Sequence, residues 1–269
     1  SFQGSGSTTE RTIDYTLLDD HSYQVGVQVR DTTTLWSNET LRVFTVQYEP
    51  PLQPIITATL HTDSAKVNVE IQNPVEETET PPPAVEYNRL FRRVNGGSYE
   101  LVADNIPNNG TVTDYIPGVA NNNTYYAEAV SEIGSIAQSE TIEVSIQIPH
   151  YYWLNSGPGF SDYAKLIYNA EVHESFSRDT VLHNFSGRKY PVSYQSERLS
   201  NAINLSLLVP NTMIETVKRV LQENPAPFCY RDYYGRRFMA SAPNSIEMHR
   251  SRHNMHLLLV RVVRVDEGE

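Results

Sequence analysis

Along residues 23–48, apolar side chains fall at Val25, Val27 and Val29 and again at Leu41 and Val43. The cadence returns along residues 124–148, at Tyr125, Ala127 and Ala129 and then at Ile142, Val144 and Ile146. A period of two places such side chains on one face of a strand, so each stretch predicts a strand, a polar turn and a second strand. Glu39, Thr40, Leu41 and Val43 align with Glu140, Thr141, Ile142 and Val144 at an offset of 101 residues, and Tyr23 with Tyr125 at 102. That spacing exceeds a solenoid repeat and matches an all-β sandwich, of which each stretch reads as the closing hairpin.

Residues 11–16 read as a strand and 17–22 as the corner before Tyr23, whose hydroxyl is placed to bond back to the corner backbone. Only 48 residues precede the Pro-rich run 49–54 (EPPLQP), half of the repeat. The chain is therefore expected to be a fragment whose residues 1–48 form the C-terminal half of a sandwich. Trp36, in the turn of that hairpin, is expected to close the end of a core, with an exposed ligand platform as the alternative. Proline fixes φ and cannot donate to a ladder, so 49–54 predicts a stiff spacer into a second unit, residues 49–149. Strands are predicted there at 55–60, 65–71, 85–94, 99–103 and 112–115, with Tyr87 and Phe91 as core rings. Asn95-Gly96-Gly97 marks a turn, Asn121-Asn122-Asn123 a corner, and 73–83 (NPVEETETPPP) a solvated acidic loop.

The pattern changes in the third unit, residues 150–269. Tyr151, Tyr152 and Trp153 follow the domain end directly and are expected to pack at a domain junction; the alternative is a sugar-stacking platform. Residues 164–172 fit helix or strand. Strands are predicted at 192–194 and 201–209, the latter with Ile203, Leu205 and Leu207 alternating. Pro210-Asn211-Thr212 stops that strand and caps a helix over 213–224, whose Met213, Ile214, Val217, Val220 and Leu221 form one apolar stripe. A hairpin of 228–232 and 237–242 turning at Gly235, and a mid-sheet strand at 256–265, complete an α+β unit, read as an antiparallel sheet or split barrel with one helix.

Composition narrows the class. The 269 residues, 39% apolar and 20% charged, suffice for two or so packed domains and are not those of a disordered chain. The single cysteine, Cys229, excludes an internal disulfide framework and a multi-cysteine zinc site, and is expected to be a small core residue. No apolar run is long enough to span a bilayer, so no membrane insertion is expected. Residues 1–149 hold 7 Lys/Arg against 20 Asp/Glu, net −13, and residues 150–269 hold 14 against 12, net +2. An acidic half of that size argues against nucleic acid, which rewards basic grooves.

Candidate chemistry is sparse. The chain has no Gly-x-Ser-x-Gly elbow, no phosphate-binding glycine loop and no His-Glu-x-x-His helix. His249, His253 and His256 have metal-ligand spacing on a helix, but interleaved arginines favour a solvated basic turn. Glu171 and Glu174 would serve glycoside hydrolysis only at a suitable separation, and otherwise read as a solvated face. No catalytic residue, cofactor or metal is expected. Arg231, Arg236 and Arg237 surround one tight hairpin, where guanidiniums can pair with carboxylates of a neighbouring chain or with partners inside this one.

The run 50–148, with YNRLFRRV, a Gly turn, YELVA, DYIPG and YYAEAVSEIG, resembles a fibronectin type III domain, and residues 8–48 resemble half of another. Such domains are spacers or adhesive modules, and the fold alone does not decide between them. The third unit resembles the C-terminal domain of minor tail and tail-tip proteins of long-tailed bacteriophages. Gly187-Arg188-Lys189-Tyr190-Pro191-Val192-Ser193-Tyr194, the helix after NAINLSLLVP, the YRDYYGRR hairpin and the closing RVVRVDE carry that likeness. It implies a non-enzymatic virion component at the tail tip, partnered with other tail proteins in a homo-oligomeric ring or hetero-assembly. The alternative is a secreted or cell-surface fibronectin type III module whose C-terminal domain binds carbohydrate through Tyr151, Tyr152 and Trp153.

Overall fold

The structure, a computed structural model, describes residues 17, 20–76, 81–224, 227–242, 246–252 and 254–266, with backbone alone for 168–172, 179, 196–198, 251 and 252. The expected strand at 11–16, most of the acidic tract in 73–83 and His253 lie outside the described residues. Within them the chain is mainly β.

Strands β1 (Ser22–Val27) and β2 (Thr40–Thr45) pair antiparallel as the repeat predicts. Two strands alone cannot bury a core, and Val27, Leu41 and Val43 are exposed. Trp36, expected to close a core, is instead 53% exposed, with the Arg30 guanidinium 5.5 Å from its ring centre. Among the described residues no second sheet faces this hairpin.

The second unit is a fibronectin type III-like sandwich. One sheet holds β3 (Ile55–His61), β4 (Lys66–Gln72) and, after β5 (Val85–Val94) and β6 (Glu100–Ile106) of the other sheet, β7 (Thr111–Asp114). The other orders β10-β8-β5-β6, where β8 is Asn121–Ser131 and β10 Ile142–Ile146, with short β9 (Ile136–Gln138) beside β8. Val67, Val69 and Ile71 of β4 meet Leu90, Tyr125, Ala127 and Ile146 across the core. Strand β5 faces opposite to expectation. Its buried side chains are Asn88, Leu90 and Arg92, while Tyr87 and Phe91 lie on the outer face, where Phe91 stacks on Tyr126 at 4.9 Å. A strand carries both parities, so a one-residue choice of face exchanges every side chain. Here Arg92 takes the inner face because buried partners await it.

The third unit is a closed barrel. Strands β11 (Tyr151–Ser156), β12 (Asp162–His183), β13 (Val192–Pro210), β14 (Phe228–Asp232), β15 (Arg237–Ser241), edge strand β16 (Glu247–Arg252) and β17 (Met255–Arg264) are all antiparallel to their neighbours. The ring runs β11-β12-β13-β17-β15-β14 and returns to β11; its seam between β15 and β17 is only two residue pairs long. Residues 164–172, ambiguous in sequence, belong to β12. Ile203, Leu205 and Leu207 alternate inward as predicted and Val209 continues the series, meeting Leu154, Leu166, Tyr230, Leu258 and Val262. The helical segment begins as a 3-10 turn at Asn211–Met213, continues as α1 (Ile214–Lys218) and relaxes into a π turn at Arg219–Glu223. It packs Val217, Val220 and Leu221 against the barrel core. No side chain caps its start; Asn211 Oδ1 lies 2.9 Å from His256 Nδ1 instead.

Strands β12 and β13 outrun the barrel. They stay paired from Phe176↔Asn201 to His183↔Val192, beyond the reach of β11 and β17, as a two-stranded arm. The eight residues on its β12 side span roughly 26 Å, opposite ten on β13, where the register shifts between Arg178 and Thr180.

Candidate functional site: an arginine junction and a projecting arm

Strand β11 is buried on both faces, and this explains its apolar run YYWLNS. Tyr152 and Leu154 point into the barrel, whereas Trp153 belongs to the sandwich core beside Ala65, Val67 and Tyr125. Tyr151 is half-buried, with the Lys165 ammonium 4.2 Å from its ring centre. The aromatic triplet is thus packed at the boundary of two domains.

Arg231 of β14 pairs with Trp153 across the ladder and is fully buried. Its Nη1 donates to the carbonyls of Ala65 (2.7 Å) and Pro117 (3.1 Å), and its Nη2 to Asn155 Oδ1 (2.7 Å) and, at a long 3.5 Å, to the Ser64 carbonyl. Three of those acceptors belong to the sandwich, and all four are neutral. Burial pulls the Arg231 guanidinium down to about 10, which still leaves it charged at neutral pH. Dispersed donors on one rigid plane suit arginine and not lysine. Asn155 Nδ2 extends the contact by donating to the Tyr115 carbonyl at 3.2 Å.

Arg237 reaches the same domain. Its Nε donates to the Ile116 carbonyl at 2.8 Å, and its Nη1 lies 3.1 Å from Glu100 Oε2. Glu100 also accepts from Arg92 Nη2 at 2.9 Å, and Arg92 Nη1 is 2.5 Å from Asp114 Oδ2, which takes a further bond from the Tyr125 hydroxyl at 2.9 Å. Burial disfavours charge on Arg92, but the Asp114 carboxylate and Tyr125 outweigh it and raise the guanidinium above its ordinary value. Burial likewise opposes ionised Glu100, and Arg237 and Arg92 overcome it, holding the carboxyl below its usual range. The hairpin turn closes the boundary: Asn121 Nδ2 donates to the Gly235 carbonyl at 3.0 Å. Gly235 sits at φ 89, and a Cβ there would lie 3.2 Å from Asn121 Oδ1.

Arg236 points the other way. Its Nε donates to Asp232 Oδ2 at 2.6 Å and its Nη1 to Glu174 Oε2 at 3.1 Å, tying the hairpin to β12 where the arm leaves the barrel. Asp232 is fully buried and also accepts from the Tyr230 hydroxyl and the Tyr234 and Arg236 amides. The three arginines therefore have partners inside the chain. Arg231, with no exposed surface, does not reach a neighbouring carboxylate.

The arm carries large apolar side chains into solvent. Phe176 is 73% exposed, Leu199 68% and Tyr190 72%, and Val181, Leu182, Phe185 and Tyr194 are exposed with them. At the tip the Arg188 guanidinium lies 5.9 Å from the Phe185 ring centre and the Lys189 ammonium 5.6 Å from that of Tyr190.

Other candidates disperse. Glu174 is occupied by Arg236, and the Glu171 side chain is not described. His249 and His256 lie on adjacent strands and not along one helix face, and no group of three or more potential metal ligands occurs among the described residues. Cys229 is buried, and burial raises its thiol above the ordinary value. No helix of the described residues is long and apolar enough to cross a membrane. Sequence reasoning singled out the arginines of the hairpin but missed Arg92, Asp114, Tyr125, Asn121 and Asn155. The available signal was an Asn inside the apolar run of β11 and an Arg two positions from Leu90 on β5.

No protein-family model, curated protein or solved structure matches the chain.

Proposed function

We propose that the chain is a non-enzymatic structural component of a bacteriophage tail tip. The C-terminal barrel docks to neighbouring tail proteins in a ring or hetero-assembly, and the sandwiches act as spacers or host-facing adhesive modules. The observation that carries this reading is the β14–β15 hairpin, whose three arginines bond the sandwich, the barrel and the base of the arm into one stiff body. Such a body holds surfaces at fixed separation. A closed barrel also leaves few strands for pairing outward, chiefly β16 and the arm. The carbohydrate-binding alternative loses support, because Tyr152 and Trp153 are buried in two cores and unavailable for stacking on sugar.

Immunogold electron microscopy of particles from the source culture, with an antibody against residues 150–269, tests the proposal. Label at one end of tailed particles is the expected result. Label on cells or free in the medium, with tails bare, overturns it.

A further inference from the structure

A two-stranded ribbon is marginally stable in water, yet the arm holds Val181, Leu182, Phe185, Tyr190 and Tyr194 exposed near its tip. Exposed apolar side chains gathered on one projecting element mark an interaction surface. Its charge indicates the partner. Residues 176–201 hold Arg178, Arg188, Lys189 and Arg198 against Asp179 and Glu197, net +2, in a chain of net −11. Among the described residues no carboxylate pairs with Arg188 or Lys189.

The matching surface is at the far end of the sandwich. Residues 49–149 hold 4 Lys/Arg against 14 Asp/Glu, net −10. An open hollow there is lined by Ile55, Glu70, Gln72, Asn73, Pro74 and Asn109 beside the edge strand β3, and Val75, next to Pro74 in the chain, is exposed. Ile55 pairs with Gln72 at the opposite end of the β3–β4 ladder from the turn that receives Arg231. Glu70 and Glu76 are exposed, and no cation pairs with either among the described residues. Aromatic rings backed by cations on the arm complement a hollow that sets Ile55 and Pro74 beside the Glu70 carboxylate, with Glu76 exposed two positions beyond Pro74, and such complementarity steers and orients association. Both surfaces are exposed in one chain, so they do not satisfy each other within it.

We infer that the arm tip of one copy, through Phe185, Arg188, Lys189 and Tyr190, docks on a second copy in the hollow at Ile55 and Glu70, with the exposed Glu76 close by along the chain. The two surfaces differ, so the contact is heterologous: it closes a ring if the rotation permits and otherwise grows a fibre. This inference rests on the assembly reading above and gives it a named interface.

The test mixes the full chain in 14N- and 15N-labelled forms at low salt, couples it with a zero-length carbodiimide, and maps the links by mass spectrometry. Links between Lys189 of one isotope and Glu70 or Glu76 of the other are expected. Reversing the arm charges (Arg188→Glu with Lys189→Glu) should weaken association by about tenfold or more, as should Glu70→Lys with Glu76→Lys. A mixture of the two variants should regain it, which a folding defect in either could not produce. A monomer at all concentrations, links confined to one chain, arm-to-arm links, or association unchanged by the arm variant would each overturn the pairing. Gold label at the tips of tailed particles alongside such a failure would refute this interface alone, whereas copies that pair while tails stay bare would refute only the virion reading.

Discussion

Arg231 is the residue on which the junction turns, because its charge is fully buried among neutral acceptors. Removing it orphans the Ala65 and Pro117 carbonyls and the Asn155 amide oxygen and leaves a void. Arg231→Ala is therefore expected to destabilise the protein by about 3 kcal/mol, read as a lowered urea midpoint. Arg231→Met, which keeps the volume, should recover part of that loss. Glu100 supplies a pH dependence. Its folded pKa lies below the ordinary value of 4.5, so the stability it contributes is complete above that value and is lost as pH falls through the folded one. Glu100→Gln should flatten the decline of thermal midpoint below pH 4.5; an unchanged slope would remove Glu100 as its source.

Strand β11 shows how an element can serve two cores. Its even positions fill the barrel and Trp153 fills the sandwich, so a substitution in one domain is felt in the other. Trp153→Ala is expected to cost about 3–5 kcal/mol and to lower hydrogen-exchange protection in β4 and β8, strands of the sandwich. Protection lost in the barrel alone would contradict the packing. Strand β5 illustrates the opposite hazard. Its two faces carry comparable apolar content, and what turned Arg92 inward was Asp114, twenty-two positions away and buried with it.

For the whole molecule, the consequence of a buried polar junction is cooperativity. Domains joined by a flexible linker unfold independently, but here the sandwich core is completed by a barrel residue and the hairpin arginines bond to sandwich carbonyls. Differential scanning calorimetry should show one transition for residues 50–266, apart from any signal of the first hairpin, and Arg231→Ala should divide it into two. Two transitions in the unaltered chain would mean that the junction adds little to either domain.

Most strand positions, the hairpin at Gly235 and the apolar stripe of the helix were legible in the chain, because period-two alternation and Pro/Gly punctuation act over a few residues. The hairpin arginines stood out for the same reason, as a local cluster. The arm was not legible: residues 173–183 mix polar and apolar side chains without a continuous face, since neither side of a projecting ribbon is buried. Barrel closure, the inward turn of Arg92 and the seating of Trp153 in the neighbouring core depend on groups far apart along the chain. Their faces are chosen by desolvation and by which donors meet which acceptors, and those balances exist only once the two domains are packed together.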